Sequence, residues 1–540
     1  MIPLRVVPLG GLTEIGMNMM LLECGDDSII VDCGLSFPNE STPGVDLLVP
    51  NFEYALTRRA SIRALFLTHA HEDHIGATPF LLRHLNLPVY GTRFTLLMLR
   101  RRWEEFGGKP DEAFLEMAFD EPVTVGGFRV TPTAVAHSVP DSVALVIDCD
   151  AGRVIHTGDF KVDHTPVAGA PANLTVLAAY ASSGVLLLLS DSTGAVTGGT
   201  TPSERAVSPG LEEVIRSGAQ RIIVTAISSH VHRLQQLFDM AAKHGRRVEV
   251  IGRSLRSTVE LAERHGYLKR ALPRHSAERT LVLVTGSQGE DRAALARIAR
   301  GENRDVVIGE GDVIVFSART IPGNEMSVGR VIDRLYRLGA TVVDNNTGAH
   351  VHVSGHAAQD DLRLMLRLVQ PKFFIPIHGT VRHLHEHARL AAECGVDPAK
   401  IHIALNGDKI EIDGDVICHA GTVPAGKQFV THTSGTLTEA ALSDRLRLAD
   451  AGFVVIIIRL NDGRRYLQPS TVVTRGLLHV DTNRELLCKA AARVDTLVER
   501  LIDDGADREM MRDEIRTEIA HALSISFETT PLIIPVFLEM

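Results

Sequence analysis

Cysteine is sparse in this sequence. The six residues at 24, 33, 149, 394, 418 and 488 lie scattered over 540 positions, with no CxxC pair. That excludes a dense disulfide framework and suits reduced thiols in a cytoplasmic setting. Long apolar runs are also missing. The longest, such as Val185–Leu189 and Phe453–Ile458, are strand-sized, far short of the roughly 18 residues of a membrane span. The opening MIPLRVVPLGG has neither the basic start nor the apolar stretch of a secretory leader and reads as a strand and a Gly turn. Internal repeats and low-complexity tracts are absent. Positive charge is in deficit, 56 Lys+Arg against 66 Asp+Glu, a formal −10. A nucleic-acid partner therefore has to be held by a local basic groove, because the net field repels phosphate.

What remains is an ordinary globular composition, 45% hydrophobic and 23% charged, which excludes bulk disorder and predicts a sizeable core. At about 150 residues per domain, the length suits three or four domains. Over residues 1–195 short strand-like segments follow one another: LRVVPL, MLLEC, SIIVDCG, ALFLTH, VTPTAV, ALVID and VIHTGD. Many end in Gly, Asp or His, which predicts a sheet whose rim carries chemistry. Over 196–345 the pattern alternates between strands (RIIVTAI, RVEVIG, RTLVLVTG, DVIVFSA, TVVDNN) and apolar-periodic helices, the signature of a parallel, helix-covered sheet. Strands resume over 346–428 with FFIPIHG, KIHIAL, KIEID and DVICH. Residues 429–450 are polar and turn-rich and read as a linker. The segment 451–540 predicts three strands and two helices. Their apolar positions exceed what so small a unit easily buries, so it is expected to promote self-association.

The strongest chemical signal is THAHEDHIG, where His69, His71, Asp73 and His74 follow the strand ALFLT. Residues i and i+2 of an extended segment face the same way, so His69 and His71 converge on one metal. A turn into a helix aims Asp73 and His74 at a second. Imidazole with carboxylate suits Zn²⁺ or Mn²⁺ rather than a structural Cys site. His137, Asp159 and His378 each stand just after a strand. Added to the first motif, they give His69, His71 and His137 to one metal, Asp73, His74 and His378 to the other, and Asp159 as the bridge.

HAHEDH, His137, Gly158-Asp159 and His378 resemble the motif series of the metallo-β-lactamase fold. DST at 191–193, SGH at 354–356 and HG at 378–379 resemble the added motifs of its β-CASP nuclease branch. PLGGLTEIGMN, DCGLSFP, HRLQQ, GRS, TGSQGE, IPGNE and HVSGH resemble the bacterial ribonuclease J family, over the whole chain. Thr380, where Glu is common after HG, and His230, where Asn is common before HR, depart from its pattern. The resemblance implies an αββα metallo-β-lactamase sandwich with an inserted β-CASP α/β domain and a small C-terminal α/β domain. It implies two divalent ions per subunit, Zn²⁺ and/or Mn²⁺, acting on single-stranded RNA in RNA maturation, rRNA processing and mRNA decay. It also implies homodimers or homotetramers, with partners in a degradation complex and no membrane.

Two metals about 3.5–4 Å apart clamp both ends of an in-line phosphoryl displacement. The resemblance places His356 opposite them as the general acid, with Asp191 orienting it and keeping it protonated. HVSGH (His352, Val353, Ser354, Gly355, His356) offers a phosphate cradle, and His232 and Arg233 are expected on the RNA backbone. Gly286, Ser287 and Gln288 of TGSQGE, with Arg253 and Ser254 of GRS, are expected to seat a 5′-monophosphate. Such a pocket favours 5′→3′ exonuclease action beside endonucleolytic cutting. Arg100–Arg102 read as a solvated helix face. Competing readings are a thioester or lactone hydrolase on the same fold, a DNA-directed β-CASP nuclease, and a non-catalytic RNA-binding scaffold. The inserted segment argues against the first, the match to TGSQGE against the second, and the full ligand set against the third.

Overall fold

The computed structural model describes residues 2–39, 41–109, 114–169, 171–270, 279–431, 435–461, 465–476, 484–524 and 531–539. It divides into two compact units, 1–37 with 48–427 and 38–47 with 428–540. Among the described residues no helix is long and apolar enough to cross a membrane.

The first unit is built on two facing sheets. One has eight strands and is centred on Leu4–Gly10, Met19–Cys24, Asp27–Val31 and Ile62–Phe66. The other has six, in the order Phe373–Ile377, Leu187–Asp191, Gly152–His156, Val143–Cys149, Phe128–Ala134 and Val123–Val125. The two-residue side-chain period sorts the core. Leu187, Leu189, Phe373 and Ile375 pack inward against Val6, Leu22, Ile29 and Phe66. Their neighbours Leu188 and Phe374 point the other way, onto Leu177, Met365 and Leu390 of the helices Leu174–Ser182, Gln359–Val369 and Val381–Glu393. On the outer side of the eight-stranded sheet, the helix Arg93–Glu105 packs on Val89–Gly91 and Phe114–Glu116. The layers are αββα, as the motif series implies.

Three strands of the six-stranded sheet matter most for the site. Gly152–His156, Leu187–Asp191 and Phe373–Ile377 are adjacent and parallel, with Asp191 directly opposite Ile377. Parallel strands end at the same edge, so the residues that follow them share one rim.

Between Asp191 and Phe373 the chain leaves to form a separate, wholly parallel sheet. Its strand order is Arg246–Ile251, Arg279–Val284, Arg221–Thr225, Val313–Phe316, Thr341–Val343. Its core joins Val282, Val284 and Ile314 to Leu295, Val331 and Leu335 of covering helices. All five predicted strands are present.

In the second unit Phe453–Asn461 runs between antiparallel Arg465–Arg475 and parallel Leu532–Glu539. The helices Arg484–Asp503 and Arg508–Ser524 bury Val494, Val498, Ile515 and Ile519 against Val454, Ile456 and Ile458. Those helices thus bury their own apolar stripe. The apolar surface left over includes Met510 of the second helix, 56% exposed, and Ile534 and Leu538 of the last strand, 37% and 43% exposed. The sequence predicts the second strand as STVVTRGLL, residues 470–478, of which 477–478 lie outside the described residues.

Two expectations change. Residues 429–450 are not a bare linker, since Glu439–Ala451 forms a 13-residue helix capped by Thr438, whose side chain accepts from the Ala441 N–H. KIHIAL is not a strand: Pro398–Lys400 is a 3₁₀ turn, and only Ile401 bridges to Phe374.

Candidate metal centre

His69 and His71 follow Ile62–Phe66, and the chain turns at His71 into a short helix, Glu72–Ile75, that carries Asp73 and His74. Asp159, Asp191 and His378 stand on the shared rim of the three parallel strands. Gly158 makes the turn to Asp159 with φ +55°, and a Cβ there would lie 2.8 Å from the Val143 carbonyl oxygen. Only glycine fits.

The side chains form two groups that share Asp159: His69, His71, His137 and Asp159, and Asp73, His74, Asp159 and His378. Within each group one donor atom per residue lies within 4.8 Å of the others. In the first, His71 Nδ1 is 3.1 Å from His69 Nε2 and 3.2 Å from His137 Nε2. Asp159 Oδ2 is 3.5 Å from the former and 3.7 Å from the latter. These separations resemble the edge of about 3.3 Å in a tetrahedron with Zn–N bonds of about 2.0–2.1 Å. In the second, Asp159 Oδ1 is 3.3 Å from His74 Nε2 and 2.8 Å from His378 Nδ1. Asp73 Oδ2 is 3.7 Å from His74 Nε2 and 3.4 Å from His378 Nε2.

The opposite ring nitrogens are anchored. His69 Nδ1 lies 3.0 Å from Thr68 Oγ1, His71 Nε2 3.2 Å from Ser138 Oγ and His74 Nδ1 2.7 Å from Asp32 Oδ2. His137 Nδ1 donates to the Gly355 carbonyl at 2.8 Å. His378 Nε2 is buried and makes no hydrogen bond. One anchored nitrogen and one inward nitrogen, as in His69, His71, His74 and His137, is the arrangement of metal-ligating histidines. The donor set fits two divalent cations.

Electrostatics follow burial and charge. Burial pushes His69 and His137 well below the ordinary imidazole value and His71 down to about 4, leaving neutral lone pairs. Burial also opposes the charge on His74, but Asp159, Asp73 and Asp32 outweigh it and hold that imidazole well above its usual value. His378 behaves likewise beside Asp159.

Over this centre sits His356. Its Nδ1 is 2.8 Å from Asp191 Oδ2 and 3.8 Å from Asp159 Oδ2. Its ring lies 5.1 Å from that of His137 and 5.7 Å from that of His378. Burial lowers its proton affinity, but Asp191 and then Asp159 outweigh burial, so the imidazole titrates above its ordinary value. Asp191 has a second use: its Oδ1 accepts the Thr193 N–H at 2.9 Å. His352, Val353, Ser354 and Gly355 are half-buried on the same loop.

Other expected RNA contacts need correction. Arg233, expected on the RNA backbone, is instead 0% exposed, with its guanidinium ion-paired with Glu204 and donating to the Val351 carbonyl at 2.9 Å. Its neighbour His232 is half-buried, and burial pushes it to about 4. Gln288 spends its side chain internally, donating to the Arg319 carbonyl at 2.9 Å and accepting the Ile321 N–H at 2.8 Å. Its own N–H donates to Glu290 Oε2 at 3.2 Å, so a carboxylate of the chain takes one donor of the expected anion nest. Ser287 is buried beside it. Arg253 and Ser254 are exposed and open the helix Arg253–Arg264, and Gly252 packs on Thr285, the residue before Gly286. The departures are local: Thr380 caps the helix Val381–Glu393, and His230 Nε2 faces Glu204 at 3.3 Å. Arg100–Arg102 are not a solvated face. Arg101 donates to Thr258 Oγ1 at 2.8 Å, Arg102 lies 3.3 Å from Glu72 and Arg100 donates to the Phe114 carbonyl at 3.0 Å.

Two participants escaped the sequence reading. Asp32, with φ +60°, accepts both the N–H and the hydroxyl of Thr68 at 2.8 Å while holding His74. It closes the strand SIIV just as the ligands close theirs, so its position carried the same signal. Lys161, 2% exposed, gave none.

Family models cover most of the chain. "Metallo-beta-lactamase superfamily" matches residues 13–190 and "Ribonuclease J, beta-CASP domain" 219–335. "Zn-dependent metallo-hydrolase RNA specificity domain" matches 349–403, and "Ribonuclease J C-terminal domain" 440–540. Similar curated proteins include "Ribonuclease J" of Mycolicibacterium smegmatis, 38% identical over 99% of this chain and 97% of the relative. That of Thermus thermophilus is 38% identical over 99% and 95%, and that of Helicobacter pylori 37% over 98% and 79%. A crystal structure of a protein of unknown function from Enterococcus faecalis shares the fold at TM-score 0.52 and 17% identity, over 76% of this chain and 100% of that one. At such identity over nearly the full length of both chains, this chain belongs to the ribonuclease J family.

Proposed function

We infer that the chain is a metal-dependent ribonuclease that hydrolyses phosphodiester bonds in single-stranded RNA, in RNA maturation, rRNA processing and mRNA decay. One observation carries the chemistry: two donor groups that share Asp159 lie beneath a His356–Asp191 pair. His69, His71 and His137 would hold one divalent cation, Zn²⁺ or Mn²⁺, and Asp73, His74 and His378 the other, with Asp159 available to both groups. When bound, such cations supply an activated water at neutral pH and offset charge on the phosphate. The chain's own groups do the rest. Asp191 occupies His356 Nδ1, which leaves Nε2–H as the donor for the departing 3′-oxygen. The loop His352–Gly355 lies beside that donor and seats the scissile phosphate.

The preference for 5′-monophosphate ends, and with it 5′→3′ exonuclease action beside endonucleolytic cutting, now rests on Arg253 and Ser254 at the rim next to Gly286, with the Gln288 side chain as scaffold. The six cysteines are free thiols, which supports a reducing, cytoplasmic location. The exposed apolar strand face of the C-terminal unit supports self-association into dimers or tetramers.

Purified protein tests the reading with 5′-monophosphate, 5′-triphosphate and circular RNA and matched DNA, after chelation and re-addition of Zn²⁺, Mn²⁺ or Mg²⁺. RNA cleavage that depends on re-added metal and favours the monophosphate end is expected. Cleavage that survives chelation overturns the metal centre, equal rates on the two ends overturn the pocket, and a preference for DNA overturns the substrate.

A further inference from the structure

The loop Val351–His356 has irregular backbone, so its carbonyls need partners from elsewhere. Side chains of separate elements supply them. The Val351 carbonyl accepts from Arg233 Nη1 at 2.9 Å and Ser317 Oγ at 2.7 Å, and the His352 carbonyl from Asn345 Nδ2 at 2.8 Å. The Ser354 carbonyl accepts from Lys161 Nζ at 3.4 Å, Gly355 from His137 Nδ1 at 2.8 Å and His356 from Thr201 Oγ1 at 2.7 Å. Lys161 stands two residues beyond Asp159 and is 2% exposed. Its Nζ also donates to the Pro202 carbonyl at 3.3 Å and lies 3.7 Å from Glu204 and 3.8 Å from Asp163. Glu204 pairs with Arg233 as well. Two buried cations thus share one carboxylate and hold one loop at Val351 and Ser354.

Stability does not explain this arrangement. Removing charges from water costs several kcal/mol per ion in effective terms, and apolar side chains of similar volume commonly do as well. Position does explain it. The segment 159–161 places Asp159 in the metal centre, and its Phe160 carbonyl accepts the Ala357 N–H at 2.7 Å. Through Lys161 it also holds the loop that carries His356.

We propose that Lys161 is a positioning residue for the reaction: by holding the Ser354 carbonyl it fixes the His356 imidazole relative to Asp159 and the phosphate between them. The proposal rests on the proton-donor reading of His356.

The test compares RNA oligonucleotides with an ordinary 3′-oxygen and with a 3′-sulfur at the scissile linkage, because a thiolate leaves without needing a proton. The variants are Lys161→Met, which keeps the stem and leaves Glu204 paired with Arg233, and Thr201→Val, which removes a second donor to the loop. General-acid work contributes about 10²–10⁴-fold, so each is expected to lose about tenfold or more on oxygen and under about threefold on sulfur. Equal losses on both linkages, or no loss on either, overturn the proposal. A crystal structure of Lys161→Met reads the loop directly, and an unmoved Val351–His356 also overturns it. If His356→Ala loses equally on both linkages while the loop still moves in Lys161→Met, the proton-donor reading alone fails.

Discussion

One carboxylate, Asp32, ties Thr68 to His74 and so fixes where one ring of the metal centre points. Outer partners of this kind typically govern metal affinity by about 10–100-fold. Asp32→Asn is therefore expected to weaken metal retention by that order while the fold persists, read by metal content after graded chelation; full retention would count against it. Removing a ligand is harsher. Asp73→Ala or His74→Ala is expected to abolish RNA cleavage with secondary structure unchanged, and undiminished cleavage at checked metal content would sink the assignment. The pH dependence has a definite sign. On the proton-donor reading His356 works protonated, and Asp191, with Asp159, lifts its imidazole above the ordinary value, so turnover is expected to decline as pH rises through that raised pKa. Asp191→Asn removes the larger of the two raising carboxylates, and the decline is expected to begin at lower pH. Coincident alkaline limbs would refute the pairing. At this scale the grouping of the candidate ligands was readable because His69, His71, His137, Asp159 and His378 each follow a strand, and Asp73 and His74 stand in the turn just after the first of them. Arg233 was not, because its partner Glu204 lies 29 residues upstream and sequence gives no sign that the pair is buried.

At the scale of elements, short apolar runs made most strands of both large sheets and all five parallel strands legible, whereas the three-residue strands Val89–Gly91, Phe114–Glu116 and Val123–Val125 were too short to show a pattern. The helix Glu439–Ala451 was not legible, because its residues are good helix formers with most of its surface exposed. Propensity and the Thr438 cap specify it, and periodicity does not. KIHIAL misled in the opposite sense, alternating without a neighbour to pair with beyond Ile401. The helix Val381–Glu393 carries a testable liability. His387 on it is fully buried, packed 4.8 Å from the Phe374 ring with Nδ1 3.0 Å from Ser192 Oγ, and burial pushes it down to about 3. An unfolded histidine takes up its proton near pH 6.5. Between those values the unfolded chain binds a proton that the folded one refuses, so stability falls as pH drops. The loss amounts to about 1 kcal/mol at about pH 5.5. His387→Leu is expected to shrink the fall in melting temperature between neutral and mildly acidic pH; an unchanged fall would remove His387 as its source.

At the scale of the whole molecule, the strand face bearing Ile534 and Leu538, together with Met510 on the helix Arg508–Ser524, is the surface to test for self-association. Truncation after Lys427, at the boundary of the first compact unit, is expected to lower the mass seen by light scattering to that of a monomer. An oligomer of unchanged order would refute the role. The division into a motif-bearing rim and an α/β insertion was legible from the change of rhythm near residue 196. The membership of residues 38–47 in the second unit was not, because no local pattern marks a long-range partnership. The insertion also has a topological meaning. The chain leaves the sheet at Asp191 and re-enters at Phe373, the start of the neighbouring parallel strand and the partner of Leu187. A parallel pair demands a crossover in any case, and the helix Gln359–Val369 forms its last leg. Because lengthening a connection that must already span the sheet adds closure entropy only logarithmically, a whole domain is accommodated inside that crossover while the strands on either side keep their register.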